Sequence, residues 1–176
     1  MTEIALLDTL LNAHADVIGH DFVGYRNHTY RVSNLCFALS SAQPDRLEKI
    51  AIAAAFHDMG IWPDRTFDYL QPSIRLAQTY LTRSDRTDWS DEISAMILEH
   101  HKLLPCRQDP LSLVEPFRRA DWIDVSMGLT APGSSRAFVR ELFSAWPSAG
   151  FHKRLIQFTL HRWRAHPLSP LPMIRF

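Results

Sequence analysis

The chain has 176 residues, 46% hydrophobic and 22% charged, which fits one globular domain and leaves little room for two. Lys+Arg and Asp+Glu each number 19, so the formal net charge is zero; the basic field needed to grip duplex nucleic acid is excluded, while a small phosphorylated ligand is not. Cys36 and Cys106 stand alone, which disfavours a disulfide framework or a thiolate zinc knuckle, and a core of this size needs no structural metal.

Residues 1–11 carry Glu3 and Asp8 without a basic flank, unlike a signal peptide. No uncharged run approaches the length of a membrane span, so a soluble, cytoplasmic protein is expected. The periodicity is helical nearly throughout, without strand-like alternation. Ile4, Leu7, Leu10 and Leu11 set a first helix. Val32, Leu35, Cys36 and Leu39 set a second, which extends back through His28 and ends near Pro44. Asp45 with Glu48 predicts a capping box for a third helix from 47 to about 57, broken by Gly60 and Pro63. Pro72 fits the first turn of a fourth helix carrying Ile74, Ala77 and Leu81. A fifth carries Ile93, Met96, Ile97 and His100, and a loop with Pro105 and Pro110 follows. A sixth carries Leu111, Val114, Phe117, Asp121 and Val125. Two more are predicted near 135–145 and 151–165, before a Pro-rich irregular tail, 167–176. The tail's Leu168, Leu171, Met173, Ile174 and Phe176 suit either a homodimer interface or the chain's own bundle.

Polar residues interrupt three apolar faces. Leu47, Ala51 and Ala54 precede Asp58 by helical steps, so Asp58 points with the core. A buried unpaired carboxylate is costly, and a divalent cation is a strong partner for it. His57 beside it offers an imidazole nitrogen. Adjacent helical residues diverge, so both reach one ion only at a helix end, which Gly60 signals. Val114 and Phe117 place Asp121 on a core face, and Val32 and Leu35 do the same for His28. Two His and two Asp suit one divalent ion: Mn, Fe, Co, Ni or Zn, and less well Mg. Asp121 alone also fits a salt bridge with Arg118 or Arg119. His14, His20, His152, His161 and His166 are read as incidental.

His28-Thr29-Tyr30-Arg31-Val32, then Ala53-Ala54-Ala55-Phe56-His57-Asp58-Met59-Gly60, then Ala120-Asp121 resemble, in this order, the motifs of the HD superfamily of metal-dependent phosphohydrolases. The resemblance spans about 28–124. It implies an all-α, single-domain bundle over 1–176 with a metal between helices, held by His28, His57, Asp58 and Asp121. It also implies hydrolysis of a phosphoester, often a nucleotide, by a metal-activated water.

Within that frame, catalytic roles are expected for Asp58, Asp64, His100 and His101. Relatives with two metals carry extra histidines where Glu99-His100-His101-Lys102 falls. They usually have another, separated histidine as well, and none lies between Asp58 and His100, so one metal is favoured over two. His100 and His101 fit a fifth ligand, a proton shuttle or a phosphate contact. Asp64 can reach the site from its loop or simply form a turn after Pro63. Asp124 fits the orientation of a ligand. Arg31 and Lys102 fit phosphate contacts, or salt-bridge partners. Trp62 and Phe67 fit an apolar wall or a stacking surface. The alternatives are a small-nitrile hydratase of the same superfamily, a di-iron oxygenase, a regulatory module that binds metal or nucleotide without turnover, and a bundle with paired buried polar groups. The hydratase gains support if Arg31 and Lys102 point away from the metal.

Overall fold

Helix α3 (Phe22–Leu39) is enclosed on several sides at once, with Tyr25, His28, Thr29, Arg31, Val32, Leu35 and Cys36 all buried. A helix wrapped in this way has no single apolar stripe, which is why polar residues sit among its core positions. The computed structural model describes residues 3–64, 66–106, 109 and 111–174, and among them it is all helical, with no strand. The remaining α-helices in chain order are α1 (Ala5–Asn12), α2 (Ala15–Ile18), α4 (Arg46–Phe56), α5 (Leu70–Arg83), α6 (Ser90–Glu99), α7 (Val114–Val125), α8 (Arg136–Ala145) and α9 (Phe151–Ala165). No described helix is long and apolar enough to cross a membrane.

α3 packs on α7 and α4. α4 in turn meets α1, α5 and α6, and α6 closes against α5 and α7. α4 can sit at this crossing because its second half is small: Ala51, Ala53, Ala54 and Ala55 are fully buried, so neighbouring helices approach closely and fill the space with Ile50, Ile52 and Phe56. α4 ends at Phe56, and the chain tightens into a single 3-10 turn, Met59–Ile61. Gly60 makes this possible. A Cβ there would lie 2.6 Å from Pro72 Cβ, 2.7 Å from the Tyr69 carbonyl and 2.8 Å from the Ser73 nitrogen. The start of α5 thus rests directly on the turn, and the Gly60 N–H donates to Ser73 Oγ at 3.0 Å.

Some expectations change. Asp45 precedes α4 in a left-handed conformation, φ 56°, and its side chain makes no cap bond. Glu48 instead pairs with Arg86 at 2.7 Å, so the capping box does not form. Leu111 lies before α7 and is exposed. α2 has too few residues to show a period. The tail folds back in part, burying Met173 among Ile61, Tyr69 and Leu70, while Leu168 is fully exposed. Pro110 and Phe176 lie outside the described residues. Cys36 and Cys106 are both free thiols.

Candidate metal centre

Two helix ends and two helix middles converge on one buried point. The middle of α3 supplies His28 and the middle of α7 supplies Asp121. The end of α4 supplies His57 and Asp58, and the end of α6 supplies His100 and His101. His28, His57 and His100 are fully buried, and Asp58 and Asp121 nearly so. At both helix ends the loss of regular winding turns neighbouring side chains the same way. His28 Nε2 lies 3.7 Å from Asp58 Oδ2 and 3.6 Å from Asp121 Oδ1. His57 Nε2 lies 3.5 Å from Asp58 Oδ2 and 3.8 Å from Asp121 Oδ1. His100 Nε2 approaches Asp58 Oδ1 at 3.4 Å, and His101 Nδ1 approaches Asp121 Oδ2 at 3.5 Å.

Hydrogen bonds on the far side of each ring fix which nitrogen faces inward. His57 Nδ1 lies 2.8 Å from the Ala54 carbonyl, and His100 Nδ1 lies 2.7 Å from that of Ile97. A carbonyl only accepts, so both Nδ1 atoms carry the proton. His28 Nδ1 lies 2.6 Å from Asp124 Oδ2. Burial works against the Asp124 charge, but His28 and Arg31 outweigh it and hold the carboxyl at about 2; an ionised Asp124 therefore accepts from His28. All three rings therefore turn their Nε2 atoms inward. Those of His28 and His57 face each other across 2.9 Å, a gap that only a proton or a cation bridges favourably.

The acids show the same deficit. Among the described residues, Asp58 Oδ1, both carboxylate oxygens of Asp121 and His100 Nε2 are buried without a hydrogen-bond partner. Orphaned polar atoms at this density are unusual and call for an explanation. Burial raises Asp121 to about 7, against the pull of His100 and His28. Burial also disfavours ionised Asp58, but His57, His100 and His28 hold it well below the usual carboxylate range. Burial lowers His57 to about 3 despite Asp58, so its imidazole is neutral at physiological pH. Nitrogen lone pairs and carboxylate oxygens without donors are the chemistry a divalent cation satisfies. Three overlapping sets lie close enough to share an ion: His28, His57 and Asp121; His57, Asp58 and His100; and His100, His101 and Asp121.

Around the centre stand residues that sequence reasoning did not assign. Tyr25 packs on His28 and His57 and donates its hydroxyl to the Ala55 carbonyl at 2.9 Å. Phe151 stacks on His28 at 4.1 Å between centroids. Tyr69 Oη lies 2.7 Å from His101 Nε2. His152, read as incidental, contacts the Asp124 carbonyl at 2.9 Å. Tyr69 opens the helix after the central motif, a segment that the sequence already places along the cleft. Phe151 and His152 come from a distant helix and left no local signal.

Two expected site residues are elsewhere, and a third is committed to a neighbour. Arg31 is fully buried, and its guanidinium binds both Asp124 oxygens and the carbonyls of Trp146 and Pro147; it braces the acid behind His28. Asp64 pairs at the surface with Arg75 at 2.8 Å, so it does not reach the centre from its loop. Lys102 lies 3.3 Å from Glu99. Asp124 does orient His28.

Fold and centre together define an all-helical bundle enclosing an imidazole–carboxylate chamber. The HD domain family matches residues 25–126, more than half of the chain, and the match runs from Tyr25 in α3 to the end of α7. This chain belongs to the HD-domain superfamily, whose members are largely metal-dependent phosphohydrolases. No curated protein and no solved structure matches it.

Proposed function

We propose that this chain is a hydrolase of a small phosphoester, nucleotides included, with one divalent ion held by His28, His57, Asp58 and Asp121. The observation that carries this reading is the set of inward Nε2 atoms facing Asp58 Oδ1 and the Asp121 carboxylate oxygens, which are buried without a hydrogen-bond partner among the described residues. A bound divalent ion supplies Lewis acidity, which lowers the pKa of a coordinated water toward neutrality and offsets charge on a phosphoryl oxygen. The chain's own groups do the rest. Asp124 and Arg31 fix the ring of His28, and the Ala54 and Ile97 carbonyls fix those of His57 and His100. Tyr25, Phe117 and Phe151 pack around the imidazoles and keep bulk water out. His101, held by Tyr69, is more open than the other ligating groups, and burial holds its imidazole well below the usual range, so it is neutral and suited to orienting water or substrate by hydrogen bonding.

One observation favours a second reading. Arg31 is buried on Asp124 and Lys102 lies beside Glu99, so both expected cations already have a carboxylate partner, and hydration of a small neutral nitrile needs no phosphoryl contact.

Elemental analysis of protein purified without chelator or affinity nickel, beside Asp58→Ala, tests the centre. About one transition metal per chain, lost in the variant, is expected. Phosphate release from a panel of nucleotides and phosphomonoesters, abolished by EDTA and restored by metal, is expected next. Turnover of small nitriles without phosphate release would select the second reading. No metal in the purified protein, and none bound on adding Mn, Co, Zn, Ni, Fe or Mg, overturns both.

A further inference from the structure

Helix α9 forms one wall of a cavity of ≈ 580 Å³ that holds none of the candidate metal ligands. The facing walls are the turn at 18–21 and the loop after the central motif. Trp62 lines the cavity and packs on Tyr25 at 4.6 Å, and Tyr25 lies against His28 and His57. An aromatic partition therefore divides this space from the metal centre. The volume falls within the range of small-molecule sites, about 300–1,000 Å³.

The lining has two chemical features. One is aromatic. Trp62, Phe67 and Phe158 are each only partly buried, and Phe67 and Phe158 stand 5.8 Å apart between centroids, so flat apolar surface faces the cavity. The other is charge. Asp21 is the acid of the lining, and it already accepts from Arg154 at 3.0 Å and from Trp62 Nε1 at 3.1 Å. Arg162, on the same helix as Arg154, gives one N–H to the Ser169 carbonyl at 3.3 Å and has no carboxylate partner among the described residues. His161, His166 and His20 stand around the same space. The acid is neutralised and one guanidinium is not, so the cavity is complementary to an anion.

A smaller space of ≈ 240 Å³ continues past Trp62 to Phe151, whose ring is stacked on His28. We propose that this cavity is a binding site for an aromatic organic anion of about nucleoside-monophosphate size, separate from the metal centre. The ring lies on the aromatic wall, and the anionic group meets Arg162 and the neighbouring imidazoles. A neutral nucleoside has only the first contact and inorganic phosphate only the second. The site does not depend on hydrolysis at the metal centre.

The probe is adenosine monophosphate, titrated calorimetrically into the full chain kept metal-free with EDTA, with adenosine and inorganic phosphate as comparators. The expected result is a Kd below about 1 mM, at least tenfold tighter than for either comparator. Arg162→Glu should weaken it at least tenfold. Thr66→Trp, which places a ring in the cavity from the loop side, should do likewise and stands as a second test if Arg162→Glu disturbs α9. Absence of binding, equal binding of adenosine, or binding indifferent to both variants overturns the proposal. Binding seen only after adding Mn or Zn overturns it too, because the anion is then on the metal. Since the titration is done without metal, its failure leaves the hydrolase reading standing, and failure of that reading leaves this one standing.

Discussion

Replacing Asp121 by asparagine separates a chamber built for a cation from a core that tolerates buried polar groups. Both Asp121 oxygens are buried with no hydrogen-bond partner among the described residues; Oδ1 lies 3.6 Å from His28 Nε2 and 3.8 Å from His57 Nε2, and Oδ2 lies 3.5 Å from His101 Nδ1. Above about pH 7 the metal-free protein must bury this carboxylate ionised, near Asp58 and Asp124. An unsatisfied buried group costs about 1–3 kcal/mol. Asparagine has the same shape, removes the charge and brings an N–H₂ that can donate into the imidazole lone pairs. In EDTA at pH 8, Asp121→Asn should therefore be more stable than wild type by about 2 kcal/mol, raising Tm by about 4–8 °C. Metal reverses the order. At a hundredfold excess over Kd the wild type gains about 2.7 kcal/mol, and the variant gains little. Thermal melts of both proteins in EDTA and in Mn, Co or Zn give the comparison, with elemental analysis alongside. A variant that is less stable than wild type in EDTA, or one that keeps its metal, refutes the reasoning.

Three further outcomes follow from the same geometry. A divalent ion must displace the proton that Asp121 holds up to about 7, so metal affinity should fall about tenfold per unit as pH drops below that point; titrations at several pH values that show a constant Kd would contradict this. Asp124→Ala removes the acceptor of His28 Nδ1 and the partner of Arg31, and should cost about 3–5 kcal/mol in denaturant melts and about 10–100-fold in metal affinity, whereas Asp124→Asn keeps an acceptor for His28 and should lose less of the affinity. Gly60→Ala drives a Cβ into Pro72 and the backbone of Tyr69 and Ser73. It should destabilise by at least about 1–3 kcal/mol and lower metal content by shifting Asp58, so a wild-type melt would show that the contact is soft.

The helices were legible because their burial repeats with the helical period, and so was the inward direction of His28, Asp58 and Asp121. Each stands where an apolar side chain belongs, and that anomaly survives without any knowledge of its neighbours. What failed depended on neighbours. Arg31 shares the face of His28, which reads as a substrate contact until Asp124, Trp146 and Pro147 arrive from far along the chain to enclose it. Asp45 and Glu48 carry capping chemistry, yet the chain enters α4 left-handed and Arg86 draws Glu48 away. Asp64 is close to Asp58 in sequence, but its loop leads outward to Arg75. Local pattern reports which way a residue points; the chemical partner it meets is a property of the whole topology.

The number of ions is a question of charge. The chamber contains two carboxylates, Asp58 and Asp121, while the charge of Asp124 is offset by Arg31. Imidazoles that ligate an ion are neutral, so one divalent ion balances the two acids, and two ions leave a buried excess of two positive charges, which is costly without an added anion. Yet the ligands for a second ion are present: His100 Nε2 and one oxygen of Asp58 have no donor, and His100, His101 and Asp121 form a set of their own. We therefore expect about one ion per chain in buffer without phosphate, and a rise toward two when inorganic phosphate supplies the missing charge. His100→Leu should abolish the rise and leave the first ion. Elemental analysis after desalting into each buffer measures both ratios. Two ions per chain with no anion present would show that charge balance does not set the occupancy of this chamber.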